Sequence, residues 1–199
     1  MKIKVSKLML LGVLMLLVLF SGTSFRGKRE INMMMMPSLP MPIAKEYVLI
    51  TSAGQATDAY IVNDIANKLM IHNYFMPQAK EDALEGVNTI VFVAGYSELG
   101  QKLHSTAFED EKKRIAALLA KAQAKDMTIL TVFIGGRQDR KKNTEELLGL
   151  VCKESDYIIG TRDEDYLALL ADLTKEKRIP VTMVNSVNDL SVPFASAFR

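Results

Sequence analysis

Two segments of this chain, Thr89–Ala94 (TIVFVA) and Thr128–Ile134 (TILTVFI), are apolar almost throughout and lack the alternation of a half-solvated strand. A strand of that kind needs cover on both faces. The cover lies next to it in sequence. Glu109 to Ala124 carries Ile115, Leu118, Leu119 and Ala122 on one helical stripe and charges opposite. Buried strands that alternate with amphipathic helices imply a parallel sheet sandwiched between two helical layers.

The same alternation runs through the rest of the chain. Tyr47–Thr51 reads as a buried strand ending in Ser-Ala-Gly, and Thr57 to Leu69 places Ile61, Ile65 and Leu69 at helical spacing. His72–Met76 reads as an edge strand that Pro77 stops, and Glu81–Leu84 as a helical turn closed at Gly86. Asn143 and Glu146 have the spacing of a capping box that would open a helix carrying Cys152. Tyr157–Gly160 is the next strand, and Tyr166 to Leu173 a helix with Leu167, Leu170 and Leu173 on its stripe. Pro180–Val184 is a candidate sixth strand and Leu190–Phe198 a terminal helix. With right-handed crossovers this order gives a three-layer α/β/α sandwich, flavodoxin-like or Rossmann-like, with strand order 2-1-3-4-5 and the sixth strand beyond.

Ahead of this region stands a different kind of sequence. Lys2, Lys4 and Lys7 precede the apolar run Leu8 to Phe20, and Ser21, Gly22, Thr23 and Ser24 follow it. Positive, apolar, then small is the order of an export signal, with cleavage expected after Ser24. The run is short for a bilayer span, so a retained N-terminal anchor is the second reading. Residues 25–45 read as a Met- and Pro-rich linker, and 46–199 as one α/β domain. The chain's basic excess lies entirely in the first two segments. The domain itself holds 18 basic against 22 acidic residues, a net −4, which argues against nucleic acid as a partner.

Sulfur gives little support for metal or redox chemistry. The lone Cys152 excludes an internal disulfide and reads as a small buried hydrophobe. Met33–Met36, with Met41 nearby, could suit Cu(I), but the segment has no His or Cys support, so it reads as a linker that packs on the domain. No cofactor or metal site is expected.

In an open parallel sheet, ligands bind beyond the carboxyl ends of the strands. Four turns should meet there: Ser52-Ala53-Gly54-Gln55, Gly95-Tyr96-Ser97, Gly135-Gly136-Arg137 and Thr161-Arg162-Asp163. Each leads towards a helix N-terminus, whose free N–H groups favour anions. Thr51–Thr57 faintly resembles the flavodoxin phosphate loop, but Ala53 stands where a hydroxyl is usual and the chain has no tryptophan to stack on a flavin. Dinucleotide, Walker-type and serine-hydrolase motifs do not occur. Gly95 to Phe108, with His104, is long enough to act as a lid.

The opening Thr51-Ser52-Ala53-Gly54-Gln55, Asp58 at the head of the helix, the Gly95 turn and Ile134-Gly135-Gly136 are similar to a family of exported bacterial proteins catalogued as domain of unknown function 6305. The similarity covers most of Glu46 to Ser186, with Tyr60-Ile61-Val62 in place of the family's usual Leu-Met-Val. The resemblance implies fold and location and carries no activity. The expected function is an exported module of the cell envelope or extracellular space that binds a small polar or anionic ligand at the carboxyl ends of the strands. Ser52, Gly54, Gln55, Asp58, Gly95, Gly135, Gly136 and Arg137 are the site residues, and Arg137 supplies charge. The alternatives are an enzyme with Asp58 or His104 as base and an envelope module that binds another protein. Membrane contact would come only through an uncleaved N-terminal segment.

Overall fold

The computed structural model describes residues 33–135 and 141–199, all within one unit, Ile31–Arg199. Six strands form a single sheet: β1 (Val48–Ala53), β2 (Asn73–Phe75), β3 (Thr89–Ala94), β4 (Thr128–Phe133), β5 (Tyr157–Thr161) and β6 (Val181–Val184). Their order is β2-β1-β3-β4-β5-β6, and every pairing is parallel. All positions of β1, β3 and β5 are buried, which is why their sequences show no period of two.

The faces are divided by alternate residues of each strand. Leu49, Ile90, Phe92 and Ile129 enter one core with Ile115, Leu118 and Ala122 of α3 (Phe108–Ala124) and Leu147, Leu148 and Val151 of α4 (Lys141–Val151). Leu170 of α5 (Glu164–Thr174) joins them. Val48, Ile50, Val91 and Leu130 face the other way, onto α1 (Asp58–Lys68) and Phe194 of α6 (Ser191–Ser196). The switch point therefore falls between β1 and β3, where the crossovers leave the sheet in opposite directions.

The structure adds an element and shifts two boundaries. A short helix α2 (Glu98–Leu103) occupies the segment read as a lid, capped by the Ser97 hydroxyl, which accepts from the Gly100 N–H at 3.0 Å. α4 already begins at Lys141, so Asn143 lies inside its first turn and not ahead of it. Helix-favouring lysines extend the element past the polar residue that suggested its cap. The terminal helix divides into a 3₁₀ turn, Val187–Leu190, and α6.

Residues 33–45 lie against the domain. Met36 N–H donates to Val181 O at 3.0 Å, and Val181 N–H to Met34 O at 2.9 Å, so the segment runs parallel to β6 along its outer edge. It then passes α6, where Ile43 and Ala44 N–H both donate to Ala197 O, and reaches β1. Among the described residues, no helix is long and apolar enough to cross a membrane.

Candidate functional site

The β1 turn is built around a buried ion pair. Gly54 has φ 114° and Gln55 φ 64°, which sends the chain sharply away from the strand. A Cβ on Gly54 would stand 2.3 Å from Gly95 O and 2.4 Å from Leu147 Cδ1, so only glycine fits. Gly54 N–H donates to Glu111 Oε1 and Gln55 Nε2 to Glu111 Oε2, both at 2.9 Å. Arg114 donates to the same two oxygens, from Nη2 at 2.7 Å and Nε at 2.9 Å. The other guanidinium bonds reach Ala79 O at 2.8 Å, Thr51 Oγ1 at 3.3 Å and Ser52 O.

Glu111 is wholly buried, and four donors meet its carboxylate. A charge so placed survives only when it is fully paired, which this arrangement achieves. The anion that the turn's donors meet is the chain's own Glu111 carboxylate. The donors of Gly54 and Gln55 that were expected to meet a ligand are committed to Glu111. The Ser52 hydroxyl points at Ala56 O, 3.5 Å away, and Ser52 N–H donates to Pro77 O at 3.2 Å.

The neighbouring turns pack onto this centre. Gly95 N–H donates to Ala53 O at 3.0 Å, and Ser97 N–H to Gly54 O at 2.9 Å. α2 lies so close that a Cβ on Gly100 would stand 2.2 Å from Gln55 O. Tyr96 bridges to Gln55 and meets the ring of Phe108 edge-on at 5.5 Å. Ser52, Gly54, Gln55 and Gly95 are therefore brought together. Gly135 belongs to a second group, donating to Thr161 Oγ1 at 2.7 Å and packing against Asp163. Gly136 and Arg137 lie outside the described residues. Arg162 N–H continues the ladder to Val184 O at 2.8 Å.

Asp58 heads α1 half-buried, and burial pushes its carboxyl above the ordinary aspartate range. No described group pairs with it. Cys152 is fully buried, and burial raises its thiol far out of the reactive range. Among the described residues, no three His, Cys, Asp or Glu side chains are grouped to hold a metal ion.

One strand further out, the sheet opens. Beyond β2 a cleft of about 600 Å³ is walled by Tyr60 of α1, Met76 to Lys80, Asp82, Ala83 and His104 at the end of α2. A smaller hollow of about 280 Å³ adjoins it, with Glu81 and, from α3, Lys113 and Arg114 in its wall, and Lys80 lines both. Among the described residues, no carboxylate stands within ion-pair distance of the Lys80 ammonium. Of the earlier candidates only His104 lines this cleft. Sequence reading missed Lys80 because an isolated lysine after a strand has no motif, and its lack of a partner shows only in three dimensions.

The chain belongs to the DUF6305 family, a domain of unknown function, whose model matches residues 45–198. No curated protein and no solved structure matches it.

Proposed function

Starting from that membership and from the cleft, we propose that this protein is an exported binding module that takes a small anionic ligand at the carboxyl end of β2. The observation that carries the reading is Lys80, a cation in the wall of a ligand-sized cavity with no ion-pair partner among the described residues. Export rests on the order of lysines, apolar run and small residues over positions 2–24. In the bound state the Lys80 ammonium meets the ligand's negative charge. His104 and the Gln78 amide supply hydrogen bonds, and the exposed Tyr60 ring covers an apolar face.

Asp58 favours a second, catalytic reading, because a carboxyl raised by burial is suited to accept a proton. A thermal-shift panel of phosphates, carboxylates, nucleotides, flavins, sugars and amino acids separates the outcomes. A ligand at 100 times its Kd stabilises the fold by about 2.7 kcal/mol. The expected hit is anionic and disappears with Lys80→Ala. A hit that survives this change and disappears with Arg137→Ala would move the site to the β4 turn. A blank panel would remove the small-ligand reading.

A further inference from the structure

The cleft is continuous with a row of aromatic side chains that its own chemistry does not explain. Tyr74 of β2 and the residues that flank the strand, His72 and Met76, alternate along the chain and so fall on one side of it. Tyr47 joins that side: its ring lies 6.3 Å from Tyr74, with the planes only 21° apart, and 5.7 Å from the His72 ring. Tyr47 is 49% and Tyr74 47% exposed. Beside them the Glu46 carboxylate bonds to His72, which places planar polar groups at the margin of the aromatic surface. Met76 ends the row and is also a wall of the cleft.

Resting on the reading of the cleft as an anion site, we propose that its ligand is an acidic oligosaccharide. One sugar unit enters the cleft, and the next ones lie along Met76, Tyr74 and Tyr47. Near-parallel, half-exposed rings present flat apolar faces that match the C–H faces of pyranose units, while Glu46 and His72 reach their hydroxyls. Charge fixes the acidic class. Asp82 shares the cleft wall, but among the described residues no carboxylate lies within ion-pair distance of Lys80 at the cleft end of the row, so a carboxylated sugar gains an ammonium contact there that a neutral one does not.

Calorimetry on the purified protein with galacturonate, tetragalacturonate and the neutral cellotetraose tests this. Tetragalacturonate should bind about tenfold more tightly than galacturonate, and cellotetraose should not bind measurably. Tyr74→Ala should reduce the tetramer to monomer affinity without changing the monomer, and Tyr74→Phe, which keeps the ring, should restore the gain. Lys80→Ala should weaken both. Equal affinities for tetramer and monomer, or a tetramer indifferent to Tyr74→Ala, would overturn the track while leaving the anion cleft in place. Binding of phosphates or other carboxylates in the panel above, with no binding of either galacturonate, would overturn the sugar assignment alone. No anion binding of any kind would overturn both.

Discussion

The β1 turn and the β2 turn are neighbours on one edge of one sheet, and they are finished in opposite ways. After β1 the donors of Gly54, Gln55 and Arg114 converge on Glu111, and close contacts at the glycines fill the turn. After β2 a cleft remains, with a lysine that no described carboxylate neutralises. The difference shows that an anion-binding turn and an anion-binding site are separate things. The first is a property of local backbone and dipoles, whereas the second needs donors left over once the fold has used its own.

The comparison is most directly broken at the closed turn. Glu111→Gln leaves Arg114 without its charge partner in a largely buried setting, and we expect a loss of about 3–5 kcal/mol in urea unfolding. A loss below 1 kcal/mol would mean that the pair is not what closes the turn. Gly54→Ala should cost about 1–3 kcal/mol from overpacking at a positive φ, with the protein still folded by circular dichroism. Lys80→Ala, at the open turn, should change stability by no more than about 0.5 kcal/mol while removing the ligand-induced shift. Equal damage to stability and binding would make Lys80 a structural residue.

The smallest effect is electrostatic and concerns Asp58. Its folded carboxyl titrates above its unfolded value, so the protonated form favours folding. That contribution is complete below the unfolded value, near pH 3.9, and is lost as pH rises through the folded value. Unfolding curves of the parent chain and Asp58→Asn should therefore diverge across this acid window, by under about 1 kcal/mol, with the parent losing ground as pH rises. Parallel curves would remove Asp58 as a perturbed group, and the catalytic reading with it.

The sheet was legible because buried parallel strands have no other way to be written: TIVFVA and TILTVFI fit no amphipathic pattern. α2 was not legible. Gly100 interrupts it, and its two leucines, Leu99 and Leu103, are exposed and do not form a core stripe. What holds it is the Ser97 cap and the close approach of Gly100 to Gln55, a contact across 45 positions. At the site, the glycines marked the right turn, but an acidic first turn normally reads as solvated charge complementing the helix dipole. One signal did exist. Glu111 is in register with Ile115, Leu118, Leu119 and Ala122, an acid on the apolar stripe of α3, and such a residue calls for a buried partner. The cleft had no such mark, because its walls come from α1, the end of α2 and the stretch after β2, and what distinguishes it is a lysine without a carboxylate partner among the described residues.

The backbone of Met33–Met36 along β6 bears on how copies of this protein meet one another. An open sheet has two edges, each a template on which a foreign strand can grow into an aggregate. At β6 the chain lays its own residues over the template, with Met34 and Met36 taking the hydrogen bonds of Val181. At β2 the strand is only three residues long and runs into Pro77, which offers an intruder too little length to add on. A truncation that removed the methionine segment would therefore leave the sheet order intact while uncovering a sticky edge, and the shortened protein should lose solubility before it loses its fold.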